Sequence, residues 1–463
     1  MAIQKGLKRV IRKDILFRLE NFGGIIINKH SFKRTELTIP EALFVYAAQR
    51  TNDTNAKSIV CEVLHINNID ITKILNLGIF EDAINGEQFP YEEVLKQIKL
   101  AYQKMQSCHC LSFPLEIAIY PSMKCNLNCK FCFVGDKTDT LIYDADKWGK
   151  VLSQAKKEGV LSISILGGEP SLYYDIDKLL LKCEELELNT VITTNGLMWK
   201  ERTKEIVCSS KYITPVVSMQ SLDNLNFLLM GCDSNIQKNF IEEILANGKK
   251  VRVNSVYTYQ TPEQIIAIYD YCASVGVERY SVANYSNVKK NTEMRYAHTL
   301  QDLAILDDRV KSHIKHQYSS CKNIPYFSAE GCMLYSCYAD ILQEPLKFTP
   351  FEKQYYGCRG KYTKMEIFSD GAVYPCCRFE TVLSSTSNVF TNRKSIDEIW
   401  NNDKNYIELR NQRTLNSTCQ ECAFCEICQG GCYPSRLKMY NSTATFEKDP
   451  NCCIQEREHD VIN

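Results

Sequence analysis

The chain is expected to be an α/β protein built on a parallel sheet, with a small strand-and-helix module before it and a loop-rich, cysteine-dense module behind it. Three observations predict this. Between residues 115 and 283 short apolar runs alternate with helix-length amphipathic stretches, the pattern of repeated strand–helix units joined by right-handed crossovers. The first 95 residues have a different period, and beyond about residue 320 turn residues and cysteines dominate.

In the first module, β-branched and aromatic residues alternate over 10–20 and 23–28 on either side of the turn residues 21–24, which predicts a hairpin. Residues 39–50 (IPEALFVYAAQR) and 57–64 have helical periodicity, with Thr38 as a candidate N-cap and Pro40 in the first turn; residues 70–77 form a third short helix candidate. A hairpin followed by three helices is a winged-helix-like layout, assigned to residues 1–95 with 96–114 as a linker. Strand candidates then fall at 115–120, 162–166, 190–194, 215–219, 251–257 and 280–283, separated by helices such as 145–157 and 262–275. Ligands of parallel α/β sheets gather at the carboxyl ends of the strands, so the loops that follow these strands are where chemistry is expected.

Composition narrows the function. At 463 residues the chain has room for about three domains. Lys plus Arg equals Asp plus Glu at 55 each, so no global field favours nucleic acid or a membrane surface. The basic stretch Lys5, Lys8, Arg9, Arg12, Lys13 and Arg18 reads as a solvated face or a dock for an acidic peptide. With no apolar run of signal-peptide or membrane-span length, the expected location is the cytoplasm. In that reducing compartment 23 cysteines argue for metal or redox sites over disulfides.

Cys125, Cys129 and Cys132 form a CxxxCxxC loop just after the first strand of the sheet. A four-iron cluster is normally held by four thiolates. The next cysteine is Cys183, so the tight loop leaves one iron open to a substrate or cofactor. A zinc site would close with a second nearby Cys or His pair. A redox dithiol would use Cys129 and Cys132 and leave Cys125 without a role. Residues 124–133 read KCNLNCKFCF, and here the chain resembles the radical SAM superfamily, whose loop is CxxxCx(aromatic)C with Phe131 in the aromatic slot. The resemblance implies a partial (β/α)6 barrel over residues 115–320 and S-adenosylmethionine chelated to the open iron. Gly167, Gly168, Glu169 and Pro170, after the second strand, resemble the family's GGEP motif, which meets the methionyl amino group. Glycines let a backbone approach a ligand closely, and a carboxylate accepts from an ammonium. Thr194 and Asn195 after the third strand, and Ser221 and Asp223 after the fourth, resemble positions that meet the cofactor's carboxylate or ribose; ordinary strand-end turns use the same residues.

Further along, Cys358 is followed by Gly371 and Cys376, then by Cys419, Cys422, Cys428 and Cys432, and finally by Cys452. This ladder resembles the SPASM extension, here over residues 321–463. The resemblance implies two auxiliary clusters, making three [4Fe-4S] clusters in all, with Cys358, Cys376 and Cys432 in the first and Cys419, Cys422, Cys428 and Cys452 in the second. Sulfatase-maturing relatives carry one more cysteine just before the ladder, whereas residues 353–357 contain none. Cys337 or Cys332 is therefore the candidate fourth ligand; otherwise that cluster has an iron open to a substrate thiolate. Cys377 stands where those relatives have an acid, which argues against formylglycine formation. Cys377, Cys425 and Cys453 read as bystanders, and Cys61, Cys183, Cys208, Cys232 and Cys272 as small core residues.

The N-terminal module resembles the recognition element that binds a leader peptide as an added strand. The chain as a whole thus resembles the maturases of sactipeptide or ranthipeptide type. Such an enzyme modifies a ribosomally made precursor peptide with electrons from a flavodoxin- or ferredoxin-type reductant. The expected product is an intrachain thioether, carbon–carbon or ether crosslink made through a 5′-deoxyadenosyl radical, whose chemistry belongs to the cofactor. No catalytic side chain is named. Two other classes fit part of the pattern. One is a sulfatase activator or peptide epimerase. The other is a non-catalytic iron–sulfur regulator binding nucleic acid, against which the near absence of charge in residues 39–50 argues.

Overall fold

The computed structural model describes residues 8–29, 31, 33–82, 88–107, 110–134, 141–285, 297–332, 334, 348–391, 394–441 and 446–452. The chain divides into two compact units, the first comprising residues 1–114 with 348–354 and the second the remainder.

In the first unit β1 (Arg9–Ile11) pairs antiparallel with β5 (Phe80–Asp82), while β2 (Ile15–Glu20), β3 (Gly23–Asn28) and β4 (Arg34–Leu37) form an antiparallel sheet in that order. The helices α1 (Ile39–Ala48), α2 (Asp53–Leu64) and α3 (Thr72–Asn76) follow. At the start of α1 the Glu41 carboxylate accepts from Thr38 N–H at 2.8 Å; at the start of α2 the Asn52 side chain accepts from Asn55 N–H at 2.9 Å. These are the N-terminal caps that a polar residue before an apolar helix supplies.

The winged-helix-like arrangement is present, with three differences from expectation. The strand expected over 10–20 is broken into β1 and β2, and β4 adds a third strand to the hairpin. The third difference concerns the boundary at 95 and the linker at 96–114. A fourth helix, α4 (Tyr91–Ser107), runs across that boundary, because Val94, Leu95, Ile98 and Met105 are buried in the core of this unit with Leu43, Phe44 and Ile59. Residues 112–114 are then tied to β2: Arg18 donates to the carbonyls of Phe113 and Pro114 and to Ser112 Oγ, and Glu20 accepts from Ser112 N–H at 2.6 Å. Arg18 and Glu20 pair at 2.8 Å with almost no exposure.

The second unit is organised by a nine-stranded sheet. β6 (Glu116–Ile119), β7 (Ser162–Ile165), β8 (Thr190–Thr194), β9 (Ile213–Ser218), β10 (Arg252–Tyr257) and β11 (Arg279–Asn284) are the six expected strands, parallel and in sequence order. Helices between them include α5 (Ala145–Lys157), α6 (Ile176–Glu185), α7 (Glu201–Ser209), α8 (Asn224–Met230), α9 (Ser234–Ala246) and α10 (Pro262–Val275), and α11 (Leu300–Gln317) follows β11. One strand face packs on these helices: Val217, Val253, Tyr280 and Val282 are buried in one cluster with Phe240, Ile241, Ile265 and Leu303. Three strands were not anticipated. β12 (Tyr326–Glu330) extends the sheet beyond β11, so the sheet crosses the expected boundary at 320. At the other edge β13 (Lys364–Ile367) pairs parallel with β6 and antiparallel with β14 (Val373–Tyr374), which joins the cysteine-rich module to the barrel.

The Arg18–Glu20 pair makes a test of the first unit. Burial pushes the Glu20 carboxyl above its ordinary range, opposed by Arg18 and Ser112. Removing one partner of a buried pair costs about 3–5 kcal/mol. Arg18→Met is therefore expected to speed amide exchange in β2 and β3 of the intact chain by on the order of a hundredfold or more. A carboxyl raised in the folded state stabilises below its unfolded value and loses that contribution as pH rises through the folded value. The variant's loss, corrected for intrinsic exchange, should accordingly be larger near pH 8 than near pH 5. Equal losses at both would mean that Arg18 does not act by offsetting the Glu20 charge.

Candidate functional site

The loop with Cys125, Cys129 and Cys132 leaves the carboxyl end of β6, on the face where the sheet should place it. The turn after β7 grips its stem. Gly168 N–H donates to Ser122 O at 3.1 Å, and Glu169 N–H to Lys124 O at 2.8 Å. A Cβ on Gly167 would stand 2.2 Å from Ser122 O, and one on Gly168 2.1 Å from Lys124 O; Gly167 also has a φ of +133°. The glycines are therefore needed for backbone to lie on backbone, a role that their expected approach to a ligand did not include. On another side Lys130 N–H donates to Leu229 O at 2.9 Å, and Cys129 Sγ lies 3.8 Å from Met230 O at the end of α8. Asn195 Nδ2 donates to Asn126 Oδ1 at 2.8 Å. Loops following three successive strands thus hold the cysteine loop, and Phe131 in its aromatic slot is half-buried.

Glu169, Thr194 and Asn195 form one buried network beside that loop. Glu169 Oε1 accepts from Thr194 Oγ1 at 2.6 Å and from Ser171 N–H at 3.2 Å, and Oε2 from Asn195 N–H at 2.8 Å. Burial raises its carboxyl, opposed by these donors. A carboxylate has about four acceptor positions, so with three used one is left for an ammonium. Pro170 opens the one-turn helix Pro170–Leu172 that presents Ser171 N–H. Ser221 and Asp223 are differently engaged. Ser221 Oγ donates to Asp223 Oδ1 at 2.6 Å; Asp223 caps α8 through Leu225 N–H at 2.8 Å and accepts from Gln264 Nε2 at 2.7 Å. The hydrogen bond from Ser221, then that from Gln264, holds the Asp223 carboxyl below its usual range against burial. Turn chemistry is what the structure shows for this pair. Ser122, Lys124 and Asn126 were missed as supports, since their roles rest on backbone atoms and on a partner far along the chain.

The cysteine-rich module gathers its thiols in two groups. Cys358 precedes the short helix Arg359–Tyr362, Cys376 follows β14, and Cys432 precedes the helix Tyr433–Tyr440. Burial pushes the Cys358 thiol up to about 12, with Cys332 and Cys432 adding to the rise. Cys376 is raised by burial and then by Cys377, Glu366, Cys432 and Cys358. Cys332 therefore stands with the first group, whereas Cys337 lies outside the described residues. In the second group Cys419 is raised by burial, with Cys452 and Cys422 close by. The two groups meet at Asp449, whose Oδ2 accepts from Cys432 N–H and whose carbonyl accepts from Cys452 N–H at 3.0 Å. Cys425 is raised by burial and by Cys422, and Cys453 lies outside the described residues. Cys183, Cys232 and Cys272 are buried and Cys61 and Cys208 half-buried; Cys272, Cys61 and Cys208 pack in the apolar cores, whereas Cys232 Sγ accepts from Gln237 Nε2 at 3.0 Å.

This donor set fits iron–sulfur clusters. Neighbouring thiols within each group are the donors that such clusters take as thiolates, releasing their protons on binding. Among the described residues, no three His, Cys, Asp or Glu side chains converge as ligands of a single metal ion. Cluster thiolates, each on its own iron, need no such convergence, whereas a closed zinc site does. No helix among the described residues is long and apolar enough to cross a membrane.

The model of the radical SAM superfamily matches residues 119–303, and that of the SPASM iron–sulfur cluster-binding domain residues 358–423. The structure of Streptococcus suis SuiB bound to precursor peptide SuiA is 42% identical, covers 96% of this chain and 100% of that one, and superposes with a TM-score of 0.86. The chain belongs to the radical SAM superfamily, with a SPASM extension, and is an enzyme that uses S-adenosylmethionine and iron–sulfur clusters. PqqA peptide cyclase of Xanthomonas euvesicatoria pv. vesicatoria (strain 85-10) is 23% identical over 348 residues, spanning 73% of this chain and 87% of that protein. Native anSMEcpe with bound AdoMet shares the fold, with a TM-score of 0.55 at 18% identity over 73% of this chain and 94% of that one.

The grip of the GGEP turn on the cysteine loop gives a direct test. Gly168→Ala forces a methyl group onto Lys124 O. Iron bound through Cys125, Cys129 and Cys132 and S-adenosylmethionine cleavage should both fall at least about tenfold, since a small displacement of positioned groups is costly. Retention of both would show that the loop does not depend on that contact.

Proposed function

We propose that this enzyme crosslinks a ribosomally made precursor peptide after reductive cleavage of S-adenosylmethionine at Cys125, Cys129 and Cys132. The supporting observation is the 42% identity to SuiB, which extends over 96% of this chain, the N-terminal unit included, with SuiB itself seen bound to a precursor peptide. When bound, the cluster and S-adenosylmethionine supply a 5′-deoxyadenosyl radical able to take hydrogen from an unactivated carbon. The chain's own residues orient it. Glu169, through its remaining acceptor position, takes the methionyl ammonium. Thr194 and Asn195 hold Glu169 in place, Gly167, Gly168 and Pro170 set the turn against the loop, and Phe131 lines it. Ser221 and Asp223 shape the neighbouring turn.

Two auxiliary clusters bring the total to three, with Cys358, Cys376 and Cys432 in the first and Cys419, Cys422, Cys428 and Cys452 in the second. Cys332 is the fourth ligand of the first. The bond made is a thioether, carbon–carbon or ether link within the peptide, and a flavodoxin- or ferredoxin-type protein supplies the electron. The leader segment of the peptide adds as a strand to an edge of the sheet of β2, β3 and β4.

Anaerobic reaction with the precursor peptide should lower the peptide mass by a pair of hydrogens per crosslink, and Cys125→Ala should leave the mass unchanged because two thiolates cannot hold the cluster. An unchanged mass with wild type that still cleaves S-adenosylmethionine would contradict crosslinking. In a second measurement, Cys332→Ala is expected to lose up to about a third of the bound iron while keeping the radical SAM cluster. Full iron and an unchanged auxiliary signal in that variant would exclude Cys332 as a ligand.

A further inference from the structure

Arg378 follows the Cys376–Cys377 pair, and its side chain turns toward the first auxiliary cysteines. Its Nη1 donates to Cys432 Sγ at 3.4 Å. Cys432 is held at its other end by the Asp449 carboxylate, which accepts from its backbone N–H. Burial works against the guanidinium charge, but the neighbouring Cys432, Cys332 and Cys376 sulfurs more than offset that. The Arg378 guanidinium is thus aimed at a ladder sulfur that Cys358 and Cys376 neighbour.

We infer that Arg378 is a positioning residue that holds the Cys432 thiolate by a charge-assisted hydrogen bond and raises the reduction potential of the cluster bound there. This rests on the reading of Cys358, Cys376 and Cys432 as ligands of an auxiliary cluster. The physical reason is charge. Reduction adds a negative charge to a cluster that thiolates already make anionic, and an N–H donor with a positive charge stabilises the more negative state. Arginine keeps its charge at any working pH, so the effect does not depend on titration. An auxiliary cluster tuned in this way is poised to take an electron during an oxidation rather than to give one.

The test is a potentiometric titration, followed by electron paramagnetic resonance, of the full-length protein with its clusters assembled. Arg378→Met should make one auxiliary cluster at least about tenfold harder to reduce, equivalent to a fall of about 59 mV for a one-electron couple, with the other signals in place. Arg378→Lys should recover most of the shift, because it restores the charge. Where Arg378→Met binds less iron, Arg378→Gln carries the test, and an intermediate fall is expected from a donor without charge. An unshifted midpoint in Arg378→Gln or Arg378→Met at full iron content overturns the inference alone. A wild-type protein whose iron and spectra account for no cluster at Cys358, Cys376 and Cys432 overturns the cluster reading and the inference with it.

Discussion

The catalytic unit depends on the parallel pairing of β6 with β13. The register runs from Lys364 opposite Glu116 to Ile367 opposite Ile119. It stacks Tyr120 on Phe368 at 4.5 Å and brings the Tyr120 hydroxyl to Glu366 at 2.7 Å. From Tyr120 the chain passes into the loop of Cys125, Cys129 and Cys132; from Phe368 it turns back through β14 to Cys376. Two cysteine-bearing segments far apart in sequence therefore hang from neighbouring strands. A slip of one residue would move every side chain to the other face. Here that would carry Lys364 and Glu366 into apolar surroundings, so the charges specify the register. They are balanced where they stand: burial would raise the Glu116 carboxyl, but Arg359 and Lys364 hold it below its usual range.

The same charges explain why β13 was hidden in the sequence. Lys364 and Glu366 alternate with Met365 and Ile367, which reads as the exposed edge of a short strand, and nothing local indicates that β6 lies beside it. β12 ends in exposed Tyr326 and Glu330 and carries no run of β-branched residues. The six strands from β6 to β11 were legible because each is a short segment, continuously buried in β6 and β7 and alternating in burial in β8 to β10 and most of β11, set between helix-length stretches. The extent of the first module was not, although Val94, Leu95, Ile98 and Met105 in α4 have the spacing of a buried helix face.

At the site, the position of the Cys125, Cys129 and Cys132 loop at the carboxyl end of the first sheet strand was legible from the strand pattern and the cysteine spacing. The partner of the glycines was not. Gly167 and Gly168 meet the backbone of Ser122 and Lys124, and a backbone contact leaves no residue-type signal at the second position. Ser221 and Asp223 show the converse. Their types suit a cofactor's ribose and a helix cap equally, and only coordinates show the cap.

The central claim is that a deoxyadenosyl radical takes hydrogen from the peptide. Its most direct test follows the hydrogen itself, using a precursor peptide deuterated at every carbon-bound position and the reconstituted wild-type enzyme. The account predicts that 5′-deoxyadenosine carries deuterium in step with the peptide consumed. Crosslinked peptide accompanied by 5′-deoxyadenosine free of deuterium would contradict it.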